Sequence, residues 1–399
     1  MFISGVSVAV IAILWVRPPA EGLCQNDPAI SGNQGTAILP CECFSETYSE
    51  ARTKFRTLAA KAGAQLHTIA ILGEDYTTDI AVLEGSRPGL VVHTSGVHGI
   101  EGYAGSAIQL AWLQQQQDLR QQDRPTVILV HAVNPYGMAH YRRVNEDNVD
   151  LNRNALLDFE TALSRHPNLV HYQDFSTAFN PTRLGFFGSI LPTLISHIVR
   201  FGVQKLKTAM VTGQYHDPHG IFFGGQSLQP SLSKLYGFME KWLQERTQHH
   251  PYGTGTVTWI DVHTGLGRSG EDTMLLHDAA TKEDGALVFD GSHIPGLHKE
   301  GSEVSHGYEL TIGFCEPYFQ RLFDKTAWLV TQEFGTKSVI LVGRALILEN
   351  MYYHHAPESM NKGKALLQSS FYVRTPEWRR AILTRGLRVL DQGIQRSSK

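Results

Sequence analysis

Gly96-Val97-His98-Gly99-Ile100-Glu101-Gly102 is the stretch on which the reading of this chain turns. An apolar β-run, Gly89-Leu90-Val91-Val92-His93-Thr94, leads into it, and a helical pattern from Tyr103 to Leu110 follows it. A histidine and a carboxylate three residues apart therefore sit on the turn from a strand to a helix. In α/β sheets such turns lie at the carboxyl ends of the strands, where ligands bind. His and Glu at this spacing can reach one metal ion, and glycines let the backbone fold tightly around it. The spacing also arises by chance, so the metal reading depends on donors elsewhere in the chain.

Working outward, strand patterns run over Gln65 to Leu72 and Thr78 to Glu84, and Thr126 to Val133 is a continuous apolar run of the kind buried in a parallel sheet. That run ends in the turn signal Asn134-Pro135-Tyr136-Gly137. Thr256 to Val262 is a strand ending at His263, followed by a Gly-rich loop over 265–272, a short strand from Thr273 to His277, and a strand from Ala327 to Phe334. Helices are expected from an N-cap at Ser45 through Tyr48 to Gly63, from Tyr103 to about Leu119 and from Ser231 to Arg246, and Arg183 to Met210 shows helical spacing interrupted by Gly185, Gly188 and Pro192. Further helices follow over Val339 to Tyr353, Met360 to Phe371 and Glu377 to Ile394. Residues 213–225 read as a turn-rich loop and 278–325 as loop-rich. Strands alternating with helices predict one α/β domain over residues 44–399.

The 399 residues suffice for such a domain, and 42% hydrophobic with 18% charged residues is ordinary for a folded protein. A net charge of −3 gives no reason to expect nucleic acid or a membrane surface as partner. Met1 to Val16 are almost wholly apolar, like the core of a signal peptide, although no basic segment precedes them. Residues 1–22 are read as a signal peptide, which implies a secreted or extracytoplasmic protein. An uncleaved anchor and a mispredicted start, which implies a cytoplasmic protein, remain open; the run is shorter than the ~20 residues of a membrane span. Residues 23–43 read as a linker. Four cysteines are too few for a disulfide scaffold, but secretion would allow Cys24 to pair with Cys41 or Cys43.

A second histidine stands in Asp261-Val262-His263-Thr264-Gly265, again at a strand end. Both turns can thus share one edge of one sheet, and Asp261 or a backbone carbonyl can orient the imidazole. A strand-end histidine capped by its own loop is the plainer alternative. Two histidines and one glutamate make an open zinc site that keeps a fourth position for water. A third stretch, Arg142-Arg143-Val144-Asn145-Glu146-Asp147-Asn148-Val149-Asp150-Leu151-Asn152-Arg153-Asn154, holds an Asn-Arg pair suited to a carboxylate and further arginines able to polarise a carbonyl. Structural ion pairs on a solvated loop are the alternative.

The order His98-x-x-Glu101, Asn134-Pro135-x-Gly137, Asp150-x-Asn152-Arg153-Asn154 and Asp261-x-His263 resembles the zinc carboxypeptidase superfamily, the carboxypeptidase A-like enzymes. Most of all it resembles an uncharacterised branch, a domain of unknown function, through Ser95 to Gly102, Arg142 to Asn154 and Glu333-Phe334-Gly335-Thr336. The resemblance covers about Phe44 to the C-terminus. It implies a three-layer fold, a mixed and largely parallel sheet with helices on both faces. It also implies one zinc ion on His98, Glu101 and His263, Glu333 as general base and Arg143 as oxyanion stabiliser. Asn152 and Arg153 would hold the substrate carboxylate, with Arg142 a further substrate-binding candidate, and which of Arg142 and Arg143 points inward stays open. The implied activity is hydrolysis of an amide bond beside a free carboxylate on a peptide. An N-acyl amino acid deacylase of the desuccinylase and aspartoacylase type, or a non-catalytic binding protein on the same fold, are the alternatives. A capping tyrosine is expected from such enzymes, and Tyr308 and Tyr318 are the candidates. The loop Gly213 to Gly225 has no counterpart in carboxypeptidase A; it either shapes the pocket or is a structural turn.

Overall fold

Apolar residues on both sides of the strands build a sheet that is covered on both faces. The computed structural model describes residues 29–31, 37–116, 123–165, 169–184, 189–249, 255–276, 281–295, 311–323 and 326–399. In chain order the elements are β1 (Ile30–Ser31), β2 (Ala37–Ile38), α1 (Pro40–Cys43), α2 (Tyr48–Lys61), β3 (Gln65–Leu72), β4 (Tyr76–Leu83), β5 (Leu90–Ser95), α3 (Gly102–Gln115), β6 (Thr126–His131) and α4 (Pro135–His140). There follow α5 (Phe159–Arg165), α6 (Leu169–Phe179), α7 (Leu191–Phe201), α8 (Val203–Thr212), α9 (Pro230–His249), β7 (Val257–Ser269), β8 (Asp272–Leu276), α10 (Lys282–Val288), α11 (Cys315–Gln320) and β9 (Trp328–Gly335). The chain ends with α12 (Val339–His355), α13 (Met360–Phe371) and α14 (Pro376–Ser397).

Seven strands form one mixed sheet in the order β3-β4-β6-β5-β7-β9-β8. The central four, β6-β5-β7-β9, are mutually parallel, and the outer pairings are antiparallel. The period-two alternation of side chains sorts the sheet into two cores. Ala81, Leu83, Val91, Val127, Leu129, Ile260 and Val262 face one core, which is closed by α2, α3, α12, α13 and α14. Ile80, Val82, Val92, Ile128, Val130, Trp259 and Leu329 face the other, closed by α9 and α11. This is the expected three-layer α/β arrangement.

From β5 the chain crosses to β6 on one side, and it later returns to β7 on the other side of β5. The strand order therefore reverses between β5 and β7, the place where open α/β sheets leave a crevice at their carboxyl ends. Register sets what meets there: Ser95 lies opposite Val262, and His263 opposite Glu333.

Several expectations need correction. The linker read over residues 23–43 is partly folded: β1 pairs with β2, and Ile38 and Cys43 are buried in the first core. Helix α2 is capped by Thr47, whose side chain accepts from the Glu50 amide at 3.2 Å, and not by Ser45. Strand β7 runs on to Ser269, because Gly265 and Gly267, at φ of 147° and 112°, let it bulge past β9 where a loop was expected. The helical stretch read over Arg183 to Met210 carries α7 and α8, with Pro192 in the first turn of α7 and a break at Gly202, φ of 89°, that was not among the expected interruptions. The stretch read as loop-rich carries α10 and α11. Helix α3 stops at Gln115, and residues 117–122 lie outside the described residues. The signal peptide read over residues 1–22 and the pairing of Cys24 also lie outside the described residues. Cys43 is a buried free thiol whose pKa burial pushes up to about 12. No helix among the described residues is long and apolar enough to cross a membrane.

Two histidines inside the sheet carry a cost that depends on pH. His93 accepts from the Gln109 amide at 3.2 Å, and His131 sits 3.0 Å from the Ser106 hydroxyl; both rings are fully buried. Burial pushes each pKa down to about 4 from the usual 6.5. The unfolded chain then binds more protons between these values, so stability is fully present above about pH 6.5 and is lost as pH falls toward 4. The upper bound is about 3 kcal/mol per histidine. Urea unfolding of chelator-treated protein across this range is expected to show that loss, and His131→Asn to flatten it. A variant whose stability falls in parallel with the parent's contradicts the assignment.

Candidate metal centre

The turn after β5 is shaped by close backbone approach. Gly96 adopts φ of 74°, and a Cβ on Gly99 would lie 2.0 Å from the Gly137 carbonyl carbon. The Gly99 and Ile100 amides donate to the carbonyls of Arg143 and Arg142 at 3.1 and 2.9 Å. Asn134 caps α4 by accepting from the Gly137 amide at 2.8 Å, while its own amide donates to the Arg143 carbonyl at 3.2 Å. The Asn134-Pro135-Tyr136-Gly137 turn thus clamps the arginine segment against the His98–Glu101 turn.

On this base three buried side chains converge. Nδ1 of His98 lies 2.9 Å from Oε1 of Glu101, and Nδ1 of His263 lies 3.1 Å from Oε2. The two Nδ1 atoms are 3.0 Å apart. The far side of each ring meets a carboxylate: His98 Nε2 to Asp150 Oδ1 at 3.0 Å, and His263 Nε2 to Asp261 Oδ2 at 2.9 Å. Asp261 is held in turn by the Thr94 hydroxyl at 2.6 Å. A carboxylate at Nε2 holds the proton there, which turns both Nδ1 lone pairs toward Glu101. Two imidazole lone pairs and a carboxylate facing one another repel unless a cation lies among them.

The donor set fits a metal ion. One ligand atom from each of His98, Glu101 and His263 lies within 4.8 Å of the others. Two nitrogens on one tetrahedral zinc, with bonds of about 2.1 Å, sit about 3.4 Å apart, near the spacing found here. The field also favours positive charge. Burial alone would lower the pKa of His263, but Asp261 and Glu101 outweigh it and raise it well above the usual value. Burial works against ionised Glu101 as well, yet His98 and His263 hold its pKa far below the carboxylate range.

A cavity of about 510 Å³ opens over this cluster, lined by His98, Glu101, Arg143, Asn152, Arg153, His263 and Glu333 among others. Glu333 is held by the Leu266 amide, which donates to Oε1 at 2.9 Å. Burial, and then the Glu101 charge, raise the pKa of Glu333 to about 7. Arg143 donates to Asp150 at 2.9 Å and to Glu101 at 3.0 Å. Asn152 spends its carbonyl oxygen on the Cys315 amide at 2.9 Å, and Arg153 lies over the Phe314 ring at 5.2 Å.

Arg142 takes a different place from the substrate-binding role expected of it. Its side chain is fully buried, donates to Glu349 at 2.7 Å and Asn148 at 2.9 Å, and stacks 3.4 Å from the Tyr353 ring centre. It is not among the residues lining the cavity. Tyr318 also packs away from the cavity, against Tyr236, and Tyr308 lies outside the described residues.

The string from Asn145 to Asn154 ties down the loop beside it. Asn148 donates to the carbonyls of Pro218 and Gly220, Asn154 to those of Gly224 and Ser227, and the Asp150 amide to that of Phe223. The Gly213 to Gly225 loop is thereby tied down, and it contributes Phe222, at φ of 57°, to the cavity wall. Sequence reasoning missed Asp150 as the partner of His98, although its place in the Asp150-x-Asn152-Arg153 string was visible. It also missed Glu316 and Phe314, which no motif marks.

Among solved structures the chain is similar to bovine thrombin-activatable fibrinolysis inhibitor, with 13% identity, 86% of this chain and 98% of that one covered, and a TM-score of 0.40. Carboxypeptidase A from Helicoverpa armigera gives 15% identity, coverage of 80% and 73%, and a TM-score of 0.40. Murein-tripeptide amidase from Escherichia coli O157 gives 15% identity, coverage of 74% and 95%, and a TM-score of 0.33. No curated protein matches the chain. Residues 44–385 match the family described as "Protein of unknown function (DUF2817)", and the chain belongs to that family.

Proposed function

We propose that this chain is a zinc-dependent hydrolase that cleaves an amide bond beside a free carboxylate, in the manner of a metallocarboxypeptidase. The observation that carries the reading is the convergence of His98 Nδ1, His263 Nδ1 and Glu101 in one buried cluster beside Glu333. Zinc bound there supplies a Lewis acid that lowers the pKa of water and polarises a carbonyl.

The chain's own groups supply the rest. Glu333, its pKa raised to about 7, takes a proton from the attacking water and passes it to the leaving amine. Arg143, fixed by Asp150 and Glu101, places a guanidinium where negative charge grows on the carbonyl oxygen. Arg153 and Asn152, which line the same cavity, hold the free carboxylate of the substrate. Asp150 and Asp261 keep both imidazoles turned toward Glu101.

Three tests follow from these roles. Purified protein is expected to hold one zinc per chain by elemental analysis, to lose activity with a chelator and to regain it with zinc. His98→Ala is expected to hold little metal, and full metal in that variant removes the basis of the reading.

Glu333→Gln is expected to keep its zinc and its KM while kcat falls roughly 10² to 10⁴-fold. The substrates are blocked peptides and N-acyl amino acids with free or amidated termini, of which only the free forms should be cleaved. Equal cleavage of amidated forms argues against the carboxylate clamp.

The adjacent arginines are expected to separate. Arg143→Lys lowers kcat in a stable protein, whereas Arg142→Met leaves Glu349 buried without its partner and costs about 3–5 kcal/mol in urea unfolding. The reverse pattern assigns the inward role to Arg142.

A further inference from the structure

Lys337 lines the same cavity as the metal cluster, and among the described residues it makes no hydrogen bond and no ion pair. The side chain is partly buried; burial lowers its pKa, and no carboxylate lies near enough to raise it. The carboxylates of the cavity are turned to other groups: Glu101 to His98, His263 and Arg143, Glu333 to the Leu266 amide, and Glu316 to the Thr331 hydroxyl. Lys337 also directly precedes Ser338, the N-cap of α12, whose positive end disfavours a further cation. Beyond it α12 gives the cavity Val339, Val342 and Leu346, three apolar side chains on one helical face. A partly buried cation with neither a counter-charge nor a hydrogen bond is costly, and this one borders space that a ligand can fill.

Position decides which part of a substrate meets it. The Thr336 hydroxyl donates to the Gly265 carbonyl at 3.0 Å, which pins the chain just ahead of Lys337 to a point two residues past His263. The residues that follow pack on one face of the sheet, where Val342 and Leu346 join the core closed by α12. Asn152 and Arg153 stand on the other face. Leu151, Ala155 and Cys315 belong to the opposite core, and the Cys315 amide donates to Asn152 Oδ1 at 2.9 Å. His98, Glu101, His263 and Glu333 lie at the strand ends between these two walls. A substrate whose terminal carboxylate meets Arg153 and whose scissile carbonyl reaches the metal site therefore extends its acyl part toward Lys337. An ammonium there attracts a second anionic group and repels a cation.

We propose that Lys337 is a specificity residue for the acyl side of the scissile bond, selecting substrates whose acyl part carries a carboxylate of its own. This deepens the proposed hydrolytic function and rests on it. Binding is measured by calorimetry on the zinc-loaded full chain, with Glu333→Gln present throughout to prevent turnover. The probes are N-succinyl- and N-glutaryl-alanine, their neutral succinamoyl and glutaramoyl counterparts of the same shape, and N-acetyl-alanine, which has the terminal carboxylate alone. At least one of the two acids is expected to bind at least about 10-fold tighter than its own amide. Adding Lys337→Met should bring that acid down to the affinity of its amide, and Lys337→Arg should keep part of the preference. N-acetyl-alanine should weaken far less than the acid in Lys337→Met, because the charge acts on the acyl end. The inference is overturned if acids and amides bind alike, if the preference survives Lys337→Met, or if N-acetyl-alanine weakens as much as the acid. Hydrolysis by the parent is scored separately on the same compounds. Cleavage without preference for the acids defeats this inference alone, and acid-selective binding that depends on Lys337 without cleavage defeats the hydrolytic reading alone.

Discussion

Mutual repulsion among electron pairs is the constraint on which the site depends. His98 and His263 present their Nδ1 atoms to each other and to Glu101, all three buried at the base of the cavity. Burying such groups without a counter-charge is costly, and the surrounding carboxylates deepen the need for a cation. The fold holds the cluster together by means outside it. Parallel register brings the ends of β5 and β7 level, and the backbone contact between Gly99 and Gly137 sets the height of the turn. A site that is unfavourable by itself persists because packing on two large cores overdetermines its geometry.

The two adjacent arginines show how local backbone divides labour. The carbonyls of Arg142 and Arg143 both accept from the ligand turn, so this segment runs alongside it. Neighbouring side chains then leave on opposite sides. Arg143 joins Asp150 to Glu101 at the cavity, and Arg142 enters the core and neutralises Glu349 beneath Tyr353. One guanidinium steadies the electrostatics of the site, and the next fastens the floor under it to α12.

What was legible in the sequence was what local pattern encodes. Apolar runs marked the strands, and the strand ends placed His98, His263 and Glu333 on one edge because parallel strands share their direction. The orientation of Arg142 was not legible, since it depends on Glu349, more than two hundred residues away. Asp150 stood in view, but its bond to His98 exists only once the 142–154 segment folds back over the turn. The folding of residues 37–43 was hidden by composition: proline, cysteine and glutamate in α1 read as a linker until Ile38 and Cys43 find the core. The glycines of β7 read as a loop because a bulge and a turn ask for the same residue.

The site is thus built at two levels of stiffness. The candidate metal cluster and Glu333 sit on strand ends, where neighbouring strands fix each side chain in register. The outer wall of the cavity comes from α11, the start of α12 and the loop carrying Phe222. Those parts are joined to the sheet by a few named contacts: Cys315 to Asn152, Asn154 to Gly224, Thr331 to Glu316. Each such contact runs from a loop or short helix to a residue within three positions of a site residue. A change in the wall can therefore alter what is bound without moving His98, Glu101 or His263. A change in the joining residues cannot, because Asn152 and Asn154 flank Arg153 itself. The cavity is free to vary at the side chains of its wall and is confined at the points where the wall is fastened.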